Sequence, residues 1–144
     1  MGRKHSNKRP WMLNMLIVVT VIVVFLVFTA HYKNWIRTEK DTIEILSGIY
    51  YKELQYSEID SVKMVEKIPS LERINGFSAM EREKGLFRDS IHETEVYMYV
   101  DRLSQPKIKI VYQDSLKLFL NLTDSTETQQ MFQFLTDKIK HVQE

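Results

Sequence analysis

The chain contains no cysteine, and only four glycines and three prolines occur among its 144 residues. The absence of cysteine excludes disulfides, cysteine-zinc sites and thiol nucleophiles. No G-x-S-x-G, P-loop or G-x-G-x-x-G motif is present either. The four histidines lie far apart, none pairs with another at the i, i+4 spacing of a metal site, and each is expected on the surface: His5, His31, His92 and His141. We therefore expect a protein that is not an enzyme and that uses no metal and no cofactor.

A strong charge of one sign is also missing, because the formal net charge is only +1. The first 30 residues hold four basic residues and no acid. The rest of the chain has 16 basic and 19 acidic residues, which is a net charge of −3. Nucleic acids and anionic lipid surfaces are bound mainly through basic patches. The balance therefore argues against nucleic acid as a partner and against a general affinity for anionic lipid.

Residues 11–30, WMLNMLIVVTVIVVFLVFTA, form an uninterrupted apolar run with no charged residue. A helix of this length spans about 30 Å, the thickness of the hydrocarbon core of a bilayer. Trp11 at one end, with Tyr32 and Trp35 at the other, suits the two membrane interfaces. We predict a transmembrane helix over residues 11–30, preceded by a basic tail over residues 1–10.

Two alternatives to a membrane anchor remain open for the same run. A helix buried in a soluble protein would normally show a polar stripe, and this run has none. A cleaved signal peptide shares the basic start, but the run is longer than the usual apolar region, and Phe28-Thr29-Ala30 is a poor cleavage site. The membrane anchor is favoured over both alternatives.

The orientation of the predicted span follows from the flanking charges. The tail carries four basic residues, and the stretch after the span carries Lys33, Arg37 and Lys40. The positive-inside rule favours, by this narrow margin, a cytoplasmic N-terminus and an extracytoplasmic C-terminal domain. The alternative is a cytoplasmic domain.

Beyond a juxtamembrane linker over residues 31–40, the sequence predicts one mainly β domain over residues 41–144. Apolar and polar residues alternate with the period of a strand in several short runs that turn residues separate. The alternation predicts seven strands, around residues 42–46, 49–54, 59–65, 86–90, 96–100, 107–112 and 115–122.

The C-terminal part of this domain predicts a helix. Asp124 and Glu127 have the spacing of a capping box at its start. One apolar stripe follows, and we expect it to pack on the sheet: Phe132, Leu135, Ile139 and Val142.

Several stretches of the domain resemble a known family. IPSLERINGFSAMEREKGLFR, then VYMYVD, then KIKIVYQDSLKLFLNLTDSTETQQMFQFL are similar to the pleckstrin-homology-like (PH-like) domains of bacterial membrane-anchored proteins. The resemblance covers about residues 41–142. It implies a seven-stranded antiparallel PH-like barrel or sandwich whose C-terminal helix caps one open end. It implies no catalytic residue.

Residues 72–88, ERINGFSAMEREKGLFR, raise the question of a ligand site. Gly76 and Gly85 bracket several basic residues, but their spacing fits no phosphate loop, and three glutamates reduce the net charge to +1. We favour a structural crossover between the third and fourth predicted strands, with Asn75-Gly76 as a turn. The alternative is a binding loop, with four candidate ligand-binding residues: Arg73, Arg82, Lys84 and Arg88.

Two functions are compatible with this organisation. In the first, a single-pass, non-catalytic PH-like module scaffolds or binds another protein or, alternatively, a lipid headgroup. PH-like barrels use loops at the open end and exposed strand edges for such binding. In the second, the chain is a sensor or a regulatory subunit of a membrane complex and acts through its transmembrane helix.

Overall fold

The computed structural model describes residues 10–143 of the chain; the predicted basic tail, apart from Pro10, lies outside the described residues. This part contains two helices, nine strands and one 3-10 turn (Tyr56–Glu58). The elements are α1 (Trp11–Ala30), β1 (Trp35–Thr38), β2 (Thr42–Ser47), β3 (Tyr50–Gln55), β4 (Ile59–Val65), β5 (Leu71–Ala79), β6 (Arg82–Asp89), β7 (Glu95–Val100), β8 (Lys107–Tyr112), β9 (Leu116–Asn121) and α2 (Ser125–Gln143).

Helix α1 coincides with the apolar run of the sequence and is long and apolar enough to cross a membrane. None of its residues is buried against the rest of the chain, so it differs from the core helix of a globular domain. The hydroxyls of Thr20 and Thr29 donate to the carbonyls of Leu16 and Phe25, at 2.8 Å and 3.0 Å. These polar side chains are therefore satisfied within the helix, as an apolar environment requires.

The remaining chain forms two sheets and one helix, so the domain is mainly β, as predicted. The first sheet has the order β1-β2-β3, and the second has the order β4-β8-β9-β7-β6-β5. All neighbours are antiparallel except β7 and β9, which are parallel. The prediction of seven antiparallel strands is therefore wrong in count and in one pairing. Alternation of apolar residues reports which side chains are buried, but it carries no information on the direction of the neighbouring strand.

Two strands lie where the sequence predicted none. Strand β1 occupies part of the 31–40 stretch, expected to be a linker, and pairs with β2 from Trp35 opposite Leu46 to Thr38 opposite Ile43. Strand β5 and all of β6 except its last residue occupy the 72–88 segment and form an antiparallel hairpin. The interpretation of that segment as a crossover is therefore wrong.

The hairpin of β5 and β6 explains the two glycines of the segment. Gly76 is not at a turn, because it pairs with Gly85 across the hairpin, and the chain reverses at Met80. Gly85 has a φ of +115°, and a Cβ atom there would lie 2.4 Å from the carbonyl oxygen of Asn75. Glycine is required because the two backbones approach closely in a conformation that other residues avoid.

The main core lies between the two sheets. Ile43, Ile45 and Leu54 of the first sheet are buried together with apolar residues of β7, β8 and β9: Tyr99, Ile108, Ile110, Leu118 and Leu120. A second cluster covers the opposite face of the larger sheet and contains Phe87, Val96, Met98, Val100 and Phe119. The central strands of the larger sheet are thus buried on both faces.

Helix α2 closes the main core. Leu135 and Ile139 are buried among the sheet residues, which confirms the predicted stripe at these positions, whereas Val142 is half exposed near the end of the helix. The carboxylate of Asp124 accepts a hydrogen bond from the backbone N–H of Thr126 at 2.6 Å, as expected of a residue that caps the helix start.

Candidate functional site

The residues that follow α1 are docked onto the domain, beginning with His31. Its side chain is 5% exposed and stacks on Phe77 of β5, with ring centroids 4.8 Å apart. The expectation of a surface histidine is wrong here. A lone histidine in the sequence gives no sign of burial, because the aromatic partner comes from a distant strand.

The end of α1 is held by the His31 side chain and by a backbone hydrogen bond to the β2–β3 turn. Nδ1 of His31 donates to the carbonyl of Val27 at 2.8 Å, and the N–H of Gly48 donates to the carbonyl of Ala30 at 3.1 Å. Both carbonyls belong to the last turn of the helix, where carbonyls begin to lack intrahelical partners. The Val27 carbonyl also accepts from the backbone N–H of His31 at 3.3 Å. Gly48 has a φ of +60°, and a Cβ atom there would overlap the His31 ring. The turn is therefore fitted to the helix end.

A buried polar network fixes the last residue before β1. Nζ of Lys84 donates to Oδ1 of Asn34 at 2.5 Å and to the carboxylate of Asp101, and the side chains of Lys84 and Asp101 are fully buried. The amide nitrogen of Asn34 donates to the carbonyls of Tyr99 and Asn121, at 2.7 Å and 2.9 Å. Asn34 is thus bonded to β6, β7 and β9 at once.

Asn121 completes the network on its far side. Its side-chain oxygen accepts from the backbone N–H groups of Asp101 and Arg102, at 2.8 Å and 3.1 Å, and its nitrogen donates to the Arg102 carbonyl at 2.7 Å. Burial lowers the pKa of Lys84 to about 8, and the neighbouring Asp101 carboxylate opposes this shift. We call the docked segment 31–34, with the groups that hold it, the junction.

The junction uses two of the four basic residues that the sequence singled out. Lys84 lies in the buried network. Nε of Arg82 donates to the carbonyl of Tyr32 at 2.9 Å, and the guanidinium lies 4.0 Å from the centre of the Tyr32 ring. Arg73 and Arg88 are exposed instead, and Arg88 lies between the cross-strand acids Glu72 and Glu95. The structure therefore does not bring the four residues together into one cationic site.

A groove beside the junction is the second feature of interest. It lies between β1 and α2, has a volume of about 440 Å³ and is lined on the helix side by Met131 and Phe134. Strand β1 is the end strand of its sheet, so one of its backbone edges faces away from β2. Sequence reasoning missed this groove because β1 lies in the predicted linker. The other lining residues are Lys33, Asn34, Trp35, Ile36, Thr38, Leu122, Glu127 and Gln130.

A separate group of polar side chains surrounds Asp89 and stabilises the fold. Its carboxylate accepts from Nζ of Lys117 at 2.7 Å, from the N–H of Ile91 at 3.0 Å and from Nδ1 of His92 at 3.0 Å. These hydrogen bonds hold the pKa of Asp89 well below its usual range. The cluster fixes the β6–β7 turn. Within residues 10–143, no group of three or more histidine, aspartate or glutamate side chains is placed to hold a metal ion.

Comparisons of the chain with protein-family models, with curated proteins and with solved structures found no match.

We predict that Asp89→Asn flattens the acid dependence of stability. The folded-state pKa of this carboxyl lies below its unfolded value of about 3.9, so its contribution to stability is present above that value and is lost as the pH falls towards the folded-state pKa. The free energy of unfolding of the full chain in detergent, measured by denaturant from about pH 6 to about pH 3, should fall less steeply in the variant. Asp137→Asn, at an exposed helix position, is the control. Equal slopes for the wild type and Asp89→Asn would contradict the assignment.

We also predict that the two charges of the junction are coupled. Lys84→Met alone leaves the Asp101 carboxylate buried without its partner, which costs about 3–5 kcal/mol of stability. Adding Asp101→Asn removes the second charge and should restore much of the loss. Denaturant unfolding of the four chains of this cycle measures the coupling. Lys63→Met, at an exposed strand position, should change stability by less than about 0.5 kcal/mol. Additive losses in the double variant would contradict a coupled pair.

Proposed function

We propose that this chain is a single-pass, membrane-anchored and non-catalytic binding module. In this proposal α1 is the anchor, and the groove between β1 and α2 receives an extended segment of a partner protein. The observation that carries the proposal is the position of the unpaired edge of strand β1. It lies beside the apolar residues Met131 and Phe134 of α2 and close to the end of α1.

The junction supports the retention of α1 as an anchor. Cleavage near Ala30 would remove the Val27 and Ala30 carbonyls, to which His31 and Gly48 donate. It would also remove Phe28, whose ring packs against Phe77 at 6.3 Å. Because the domain contacts the last turn of α1 in these ways, the structure favours a helix that is retained as an anchor over a signal peptide that is cleaved. An extracytoplasmic domain remains the favoured orientation, and a cytoplasmic one is the alternative.

The architecture, two packed sheets with a C-terminal helix that closes the core, supports a similarity to PH-like domains. The helix contributes Leu135 and Ile139 to the core, as a capping helix of that family would. Nine strands and the parallel pair of β7 and β9 depart from the expected pattern. We propose a PH-like sandwich with two additional strands, of which β1 provides the binding edge.

The chemistry of the groove favours an extended peptide as ligand. An unpaired strand edge offers backbone N–H and C=O groups to a further strand. Alternate side chains of such a peptide would contact Ile36, Met131 and Phe134, while Lys33 and Glu127 provide one charge of each sign. A lipid headgroup is less well supported, because Arg82 and Lys84 are already bonded within the domain.

We predict that a charge placed between the apolar residues of the groove weakens binding. Met131→Glu places a carboxylate in the apolar part of the groove, and burying it without a partner should weaken binding by about tenfold or more. Photo-crosslinking from a reactive residue at position 36, in intact membranes, measures the adduct with the partner. Gln133→Glu, on an exposed face of the same helix, should leave the adduct unchanged. An adduct of equal yield in Met131→Glu would exclude the groove.

The second candidate function, a sensor or regulatory subunit acting through α1, is favoured by the junction itself. The end of the helix is bonded to the domain, so a movement of one is transmitted to the other. We predict that replacing residues 12–26 by an unrelated apolar helix, which leaves the last helical turn intact, does not change crosslinking from position 36. Loss of the adduct after this replacement would favour the second candidate over a tethered module.

A further inference from the structure

Four exposed apolar or aromatic side chains surround the point where α1 ends. They come from different parts of the chain: Tyr32 from the junction, Trp35 from the start of β1, Ile49 from the β2–β3 turn and Met80 from the β5–β6 turn. Ile49 is 77% exposed and Met80 is 83% exposed. We call these four residues the exit patch.

One hydrogen bond between the helix end and the β2–β3 turn determines the depth of Ile49. If α1 spans the hydrocarbon core, its 20 residues cover about 30 Å, and Ala30 lies at the boundary with the headgroups. The N–H of Gly48 is 3.1 Å from the carbonyl oxygen of Ala30. The headgroup layer is about 5–7 Å thick on each side. The neighbouring Ile49 therefore lies within this layer.

Met80 is held at a similar depth by other contacts. It lines a small cleft together with Phe28 of the last helical turn and with Tyr32. Tyr32 is itself fixed by Arg82, two residues beyond Met80. The acid beside Met80, Glu81, is paired with Arg102 at 3.4 Å, so its charge is partly compensated where lipid phosphates would repel it.

We propose that the exit patch inserts into the headgroup layer of the membrane that α1 crosses, so that the domain rests on the lipid surface. The inference rests on the anchor role of α1 in the proposed function. Aromatic side chains at a helix end favour the membrane interface, and apolar side chains beside them gain by leaving water. Lys33, exposed between Tyr32 and Trp35, adds a positive charge at the level of the phosphates.

Position, rather than exposure, distinguishes the exit patch. Ile91 is equally exposed, at 82%, but it lies in the turn after β6. Strand β6 begins at Arg82, beside the junction, and its eight residues extend for about 23 Å away from it. Ile91 therefore lies far from the helix end and provides a matched control.

The absence of native cysteine makes the test direct. Single variants Ile49→Cys, Met80→Cys, Ile91→Cys and Val21→Cys of the full chain are labelled with an environment-sensitive fluorophore. They are then reconstituted into vesicles of phosphatidylcholine and phosphatidylglycerol. We expect nitroxide lipids to quench the labels at 49 and 80 severalfold more than the label at 91, with headgroup-level nitroxides the most effective. The label at 21 should respond to nitroxides deep in the acyl chains.

The four labels separate the possible failures. Labels at 49 and 80 that behave like the label at 91, while the label at 21 is quenched by deep nitroxides, would overturn the lipid contact and leave the anchor intact. A label at 21 that is exposed to water would overturn the anchor, and with it both proposals. Labels at 49 and 80 that are shielded from water but not quenched by nitroxide lipid would indicate a second copy of the chain instead of lipid.

Discussion

Lys84, Asp101 and Asn34 share one set of buried hydrogen bonds, and the segment between α1 and β1 keeps its place because of them. Asn34 also donates to two strands of the larger sheet. The next residue begins β1, so the position of this strand, and of the groove beside it, follows from the same bonds. The helix end, the strand edge and the groove are therefore one arrangement with a common support.

A buried ion pair is not required for stability as such. Replacing such a pair by well-packed apolar residues is often neutral or stabilising, whereas removing one partner is costly. The contribution of Lys84 is to fix the position of the segment between α1 and β1. A shift of the segment by one residue would take Asn34 away from Lys84 and from the carbonyls of Tyr99 and Asn121, and all of these groups are buried. The network thus favours one register of the chain after the helix.

Local signals predicted α1, β4, β7, β8 and the start of α2, because each is a regular apolar pattern or a cap that can be read from neighbouring residues. The remaining features depend on distant partners or on local patterns that are too short to read. Lys84 was named only as a candidate ligand residue of the alternative binding loop, and its bonds to Asp101 and Asn34 could not be foreseen because these residues come from other segments. His31 looked exposed because Phe77 lies in β5. Strand β1 was missed because four residues show too little alternation, and the groove was missed with it.

The shortness of the connection between α1 and β1 has a mechanical consequence. Only four residues separate the two elements, and two of them are buried. A rotation of α1 about its end would therefore carry the domain with it. A tilt of α1 by about 20°, which is common for membrane spans, would displace the far end of β6, about 23 Å away, by about 8 Å. If α1 has the proposed anchor role, a change in bilayer thickness that alters its tilt would therefore displace the outer face of the domain laterally.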